Sequence, residues 1–222
     1  MKKLFANISK QYDTMNKIMS LGLDLWWRRH ALKNINMPEK PVILDLACGT
    51  GDFAVELSEK WPHADITCID LTPEMISIAR KKLSSKKQNI TYVESDAQNL
   101  TSIADKSYDL IVCAFGFRNF PDKAKALSEC NRVLNENGQL VVLELFRPTS
   151  KILGGIVNIW LTVISWIFAD DSIGEYKYLR KSIAATLSPD EFVELAGKCM
   201  FHAISSKFFF PAASCITFKK QH

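Results

Sequence analysis

Val42-Ile43-Leu44-Asp45-Leu46-Ala47-Cys48-Gly49-Thr50-Gly51-Asp52 is an apolar run that ends in a turn of small residues. The run suits a strand buried on both faces. The two glycines let backbone pass close to a ligand, and the free N–H groups of a following helix lie just beyond them. A second strand-like run, Ile66-Thr67-Cys68-Ile69-Asp70, ends in a carboxylate. A strand, a glycine turn and an acid closing the next strand make a nucleoside-binding crevice.

Further strands are expected at Ile90–Glu94, Asp109–Phe115 and Gln139–Leu145, with helices from Asp52, from Pro73 and over Pro121–Leu134. Gly138 marks the turn before the fifth strand. Ser188-Pro189-Asp190-Glu191 opens a helix, with Ser188 as cap and Glu191 completing a capping box. Ala203–Phe210 and Ser214–Lys219, joined through Pro211, suit a hairpin. Alternation of strands and helices implies an α/β fold whose mostly parallel sheet gains an antiparallel end. Residues 4–35 read as helical segments broken at Gly22.

The chain has 222 residues and a formal charge of +4. Its basic residues are scattered in pairs, which does not suit a nucleic-acid binder. Arg28-Arg29 beside Trp26-Trp27 is the one pair suited to touching a membrane surface. The six cysteines form no C-x-x-C pair, so a reducing compartment is favoured over a disulfide framework. Asn7 and Lys10 interrupt any signal-peptide core, and a cytoplasmic protein is expected. No His-plus-Cys pattern suggests a metal. Residues 152–169 carry no formal charge and sit at the lower length limit for a membrane span. They read either as a buried or dimer-forming helix or as a lid over an apolar substrate.

In the crevice, Gly49, Thr50 and Gly51 form the loop, and Asp45 either organises it or accepts from a ligand ammonium. Asp70 suits the ribose hydroxyls, and Asp96-Ala97 the adenine edge. A nicotinamide enzyme shares the glycine turn and the acid. Asp52, however, sits awkwardly beside a pyrophosphate at a helix start. A cationic, phosphate-free cofactor, S-adenosylmethionine, fits better.

Five segments then carry a resemblance. They are Tyr12-Asp13-Thr14-Met15-Asn16-Lys17-Ile18-Met19-Ser20, the loop Leu44–Asp52, Phe115-Gly116-Phe117-Arg118-Asn119, Arg132-Val133-Leu134 with Gly138 and Glu144, and Tyr176-Lys177-Tyr178-Leu179-Arg180-Lys181-Ser182-Ile183. Together they resemble the class I S-adenosylmethionine-dependent methyltransferases of the demethylmenaquinone and ubiquinone-pathway C-methyltransferase family. The chain departs from the family pattern at Asp24, where the family usually has histidine. It also departs at Asn135-Glu136-Asn137, at Phe146 and at Leu71-Thr72.

The resemblance implies a three-layer, Rossmann-like methyltransferase fold with a seven-stranded sheet. It implies one domain over 1–222, with a helical cap at 1–37 and a substrate-side helical insertion at 147–187. S-adenosylmethionine would be held by Asp45, Gly49, Thr50, Gly51, Asp70, Leu71, Asp96, Ala97 and Ala114, without a metal. Arg118, Asn119, Glu144 and Tyr176 become the catalytic candidates. Arg118 would stabilise an oxyanion on a prenylated quinol, or else merely pair with Asp122. Glu144 would pair with Arg118 or Arg180, because a buried carboxylate needs a partner. The implied reaction is C-methylation of demethylmenaquinol. A benzoquinol substrate, a nicotinamide-dependent oxidoreductase and a non-catalytic assembly module are the alternatives. Peripheral contact with the inner face of the cell membrane and a homodimer are both compatible with this reading.

Overall fold

The computed structural model describes residues 12–86, 88–167 and 181–221. Helices α1 (Tyr12–Met19) and α2 (Asp24–Leu32) come first, separated at Gly22, whose φ is +76°. There follow β1 (Val42–Leu46), α3 (Asp52–Lys60), β2 (Asp65–Asp70), α4 (Pro73–Lys82), β3 (Asn89–Glu94) and β4 (Tyr108–Ala114). A short 3-10 turn, Phe117–Asn119, leads to α5 (Lys123–Val133) and β5 (Leu134–Glu144). The chain continues through α6 (Lys151–Ile167), α7 (Pro189–Lys198), β6 (Phe201–Phe209) and β7 (Ala213–Lys220).

The seven strands form one sheet in the order β3-β2-β1-β4-β5-β7-β6. All pairings are parallel from β3 to β5, and β7 joins β5 and β6 antiparallel. Successive residues of the central strands feed opposite cores. Ile43, Leu110, Val112, Val141 and Leu143 pack on one face with Trp27 and Phe53. Leu44, Ile111, Cys113, Leu140 and Val142 pack on the other with Phe117 and Phe192. A strand with apolar residues at both parities must be covered on both sides, which produces the three layers. The chain winds outward in both directions from β1 and β4, so the crevice opens at their carboxyl ends.

The capping box at α7 forms as expected. Ser188 Oγ accepts from Glu191 N at 3.2 Å, and Glu191 Oε2 accepts from Ser188 N at 2.7 Å. The turn expected at Gly138 is instead an excursion inside β5. Tyr108 pairs with Leu134, and two residues further along β4 Leu110 already pairs with Gln139. Asn135 Nδ2 donates to Asp109 Oδ1 at 2.7 Å across this irregularity, so the ladder resumes on either side. A β-carbon at Gly138 would lie 2.6 Å from Leu134 Cγ, which is why the excursion needs glycine.

Trp26-Trp27-Arg28-Arg29 does not form one surface patch. At about 100° per residue a helix splits the four between faces. Trp27 and Arg28 are buried, whereas Trp26 and Arg29 face out, with Arg29 Nε donating to Glu56 Oε2 at 2.7 Å. Among the described residues, no helix is long and apolar enough to cross a membrane.

Candidate functional site

The β1 turn is built on positive φ angles at Ala47 (+55°), Gly49 (+56°) and Gly51 (+87°). A β-carbon at Gly51 would press on Ala79 and Leu83 of α4 at 3.1–3.2 Å, so this glycine sets how closely loop and helix approach. Across the crevice Phe115 also adopts a left-handed φ of +60° as the chain leaves β4. Non-glycine residues in this region are strained, and two of them, Ala47 and Phe115, flank one cavity.

That cavity holds about 210 Å³. Its walls include Gly49, Asp70, Leu71, Asp96, Ala97, Ala114 and Asn119, all expected from sequence, and also Met75, Gln98 and Phe120, which were not. Asp70 is oriented by backbone. Gly49 N donates to its Oδ2 at 2.9 Å and Thr72 N to its Oδ1 at 2.8 Å. Burial pushes its carboxyl above the ordinary value, and these N–H groups pull against that shift. Asp96 Oδ1 accepts from Gln98 N at 2.9 Å, which fixes the turn after β3. Among the described residues no cationic side chain lines the cavity, whereas two carboxylates do. A pyrophosphate would find no counter-charge there, but a cationic nucleoside fits. A β-carbon at Gly116 would lie 2.7 Å from Cys113 Sγ, so the wall is already as tight as backbone allows.

Thr50 and Gly51 do not line this cavity. Thr50 is buried, and its hydroxyl donates to Asp13 Oδ1 of α1. Lys82 of α4 bridges the same Asp13 (2.7 Å) and Asp52 (2.5 Å). The glycine loop is thus latched to the first helix of the cap. Asp45 is also outside the lining. It is 1% exposed, and its Oδ2 has no hydrogen-bond partner. Burial pushes its carboxyl up to about 8, opposed by the charge of Arg28 and reinforced by Asp70. A folded-state value above the unfolded one means that the native protein holds the proton more tightly. Its cost is therefore absent below the ordinary carboxylate range and grows as pH rises through about 8. D45N is expected to flatten this loss and to stabilise the cofactor-free protein at pH 8 by about 1–3 kcal/mol, as read by denaturant unfolding at several pH values.

A second, smaller pocket shares Phe115 with the first. Its other walls are Asn16, Ser20, Asp24 and Trp27 from the helical cap, Arg118 and Leu145 from the sheet end, and Trp160 of α6. Two guanidiniums lie over the Phe115 ring, Arg28 at 5.3 Å and Arg118 at 6.0 Å from its centre. Arg118 Nη1 donates to Glu144 Oε1 at 2.7 Å and to Phe115 O at 2.7 Å. Glu144 also accepts from the backbone N–H of Arg118 (3.0 Å) and of Leu145 (2.7 Å). The partner of Arg118 is thus Glu144. Asp122 instead caps α5 by accepting from Lys125 N at 2.9 Å. Asn119 Nδ2 donates to Phe115 O at 3.2 Å. Tyr176, Tyr178 and Arg180 lie outside the described residues.

The arrangement places a carboxylate-lined crevice, without a cation among the described residues, beside a pocket that carries paired charges and aromatic walls. Of its walls, Arg118 and Trp160, the latter within residues 152–169, were expected on the substrate side; Asn16, Ser20, Asp24 and Trp27 were not, because the walls come from four separate segments. The signal available was the N-terminal motif, which holds Asn16 and Ser20.

Residues 1–218 match the family model described as the ubiE/COQ5 methyltransferase family. The chain is 38% identical over 216 residues to the demethylmenaquinone methyltransferase of Thermotoga maritima, covering 95% of this chain and 92% of that one. It is 38% identical over 197 residues to the protein of the same name from Deinococcus radiodurans, covering 87% and 81%. Among solved structures, a SAM-dependent methyltransferase of Thermotoga maritima superposes with a TM-score of 0.70 over the full length of both chains at 20% identity, which speaks to fold alone.

Proposed function

The chain belongs to the ubiE/COQ5 methyltransferase family, and from that premise we propose that it methylates a ring carbon of demethylmenaquinol, giving menaquinol. It is an S-adenosylmethionine-dependent C-methyltransferase with a Rossmann-like fold. The observation that carries the reading is the pair of adjoining pockets, one carboxylate-lined and without a cation among the described residues, the other lined by Arg118, with Arg28 and Arg118 both over the Phe115 ring.

The first pocket would hold S-adenosylmethionine, which when bound supplies a methyl group on sulfonium sulfur. Asp70 would accept from the ribose hydroxyls, and Asp96 with Ala97 would grip the adenine. Small residues at Gly49, Ala114 and Gly116 let the ligand lie against backbone. Asp45, buried outside the crevice lining, would organise the glycine loop rather than touch the ligand. In the second pocket the quinol ring would pack against Phe115, Trp27 and Trp160. A ring carbon becomes nucleophilic when a neighbouring hydroxyl loses its proton. Arg118, oriented by Glu144, would stabilise the oxygen charge that forms. Asn119 holds the Phe115 carbonyl in the same turn, so its contribution is to orient the crevice wall.

A crevice with two carboxylates and no cation among the described residues weighs against the nicotinamide reading. The built Arg118–Glu144 pair weighs against a module with no chemistry. Both ring classes present hydroxyls, so these charged groups do not separate naphthoquinol from benzoquinol. The homologue names favour the naphthoquinol. Inactivating the gene in its source cells tests the assignment. Extracted quinone should shift from menaquinone to a species lighter by one methylene, and an unchanged menaquinone pool would reject it.

The long apolar tail of such a substrate calls for a lipid-facing surface. Val157, Trp160 and Leu161 of α6 turn inward, while Ile152, Ile159 and Val163 are exposed, the first at 81%. Leu21, Trp26 and Phe210 are exposed as well. These residues would rest on the bilayer as a peripheral contact. I159D with V163D is expected to weaken flotation with liposomes at least several-fold while leaving kcat on a short-tailed quinol unchanged. Full flotation of the double variant would point instead to α6 meeting a second copy of the chain.

A further inference from the structure

The second pocket contains more chemistry than one oxyanion needs. Asp24, at the start of α2, is 2% exposed and lines it. Its Oδ2 accepts from Arg28 Nη1 at 2.9 Å and its Oδ1 from the Ser20 hydroxyl at 3.0 Å. Two donors in the same pocket, Asn16 Nδ2 and Trp160 Nε1, are buried with no hydrogen-bond partner. Buried donors are nearly always paired, so two orphans lining one small pocket call for a ligand that brings acceptors. A carboxylate in the same wall calls for a ligand that also brings a hydroxyl. A ring with oxygens on opposite sides meets both demands.

We propose that Asp24 is the proton acceptor of the reaction, and that Asn16 and Trp160 hold the second ring oxygen; the proposal rests on the quinol methyltransferase reading above. The groups that face Asp24 are Ser20 and Arg28 from its own segment, Asn16 from α1, Trp160 from α6 and Arg118, backed by Glu144, from the sheet end. Asp45 of β1 lies beyond Arg28. Among the described residues Asp24 is the one carboxylate on the wall itself; Glu144 lies behind it, held by Arg118 and by two backbone N–H groups. The quinol O–H bond breaks, its proton passes to Asp24, and its electron pair stays on oxygen, facing Arg118. The ring carbon bonds the methyl group as the methyl–sulfur bond of the sulfonium breaks, leaving that bond's electron pair on sulfur, and the ring carbon then loses its own hydrogen as a proton to water. The oxygen regains a proton from Asp24. The carboxylate is regenerated, and one proton is released per turnover.

D24N keeps the shape and the oxygen that Arg28 needs but cannot take the proton. Its kcat on demethylmenaquinol is expected to fall about 100-fold or more, with calorimetric affinity for S-adenosylmethionine unchanged. D24H restores a base of different basicity. It should recover much of kcat and move the acid limb of the pH profile upward, because an imidazole takes up a proton at higher pH than a carboxylate. W160F should raise KM several-fold with little change in kcat. Overturning results are D24N turning over within about threefold of wild type, or D24H with an unmoved acid limb; either makes Asp24 only a clamp on Arg28. The function reading fails separately, by absence of quinol methylation in the wild type.

Discussion

Replacing Asp70 with alanine is expected to weaken S-adenosylmethionine binding by about 2–4 kcal/mol, or roughly 30- to 1,000-fold. Asp70 presents both oxygens at the end of β2, each oriented by one backbone N–H, from Gly49 and Thr72. Burial still holds the wild-type carboxyl above its ordinary value despite the donors from Gly49, Leu71 and Thr72. A ligand offering a hydroxyl to each oxygen would complete the set. Alanine removes the acceptors and also frees Gly49 N, loosening the loop. Calorimetry on the two proteins measures the change. The melting temperature without ligand should move far less than the affinity, since the ligand supplies most of what Asp70 is positioned to hold. Equal affinities would exclude Asp70 from the cofactor site.

The second large effect concerns Arg118 and Glu144. Their side chains are 9% and 1% exposed, and the pair closes the end of β5 against the turn after β4. Breaking a buried pair strands one charge, which costs about 3–5 kcal/mol of stability. E144A is therefore expected to lower the unfolding free energy by that amount and to leave Arg118 misplaced. R118A strands Glu144 similarly and in addition removes the cation facing the reacting oxygen, with a further loss of about 100- to 1,000-fold in kcat. E144Q separates the two roles. The amide keeps an oxygen for Arg118 but cannot accept from all three donors, so a smaller loss of stability and an intermediate kcat are expected. Denaturant unfolding alongside initial rates reads both. If R118A matched wild-type kcat once corrected for folded fraction, Arg118 would be structural only.

Much of the fold was legible because its strands are apolar runs with sharp polar ends. The run Val42–Leu46 leads straight into the glycine turn, and β1 occupies those residues. The capping box at Ser188 was readable because it is a purely local hydrogen-bond pattern. Asn135–Gly138 misled because turn residues also serve an excursion within a strand, and the deciding partner, Asp109, is 26 residues away. Trp26–Arg29 misled as a patch because composition ignores the helical angle between neighbours. In the site, Asp70, Asp96, Ala97 and Ala114 could be placed because each sits at or just past the end of a strand. Thr50 could not, since its partners Asp13 and Lys82 come from other helices. The second pocket is assembled from segments more than a hundred residues apart; the charge-free run 152–169 marked Trp160 as facing the substrate, but no local pattern joins it to Asn16 and Asp24.

Transfer of the methyl group itself is the most direct test. The protein is incubated with methyl-labelled S-adenosylmethionine and chemically reduced demethylmenaquinone under anaerobic conditions, and the extracted quinone is analysed by mass and by the carbon bearing the label. The expected result is label on a ring carbon, giving menaquinol, with rate dependent on the quinol being reduced. Folded protein that binds S-adenosylmethionine but leaves the quinol unlabelled, or that places the label on a quinol oxygen, would contradict it.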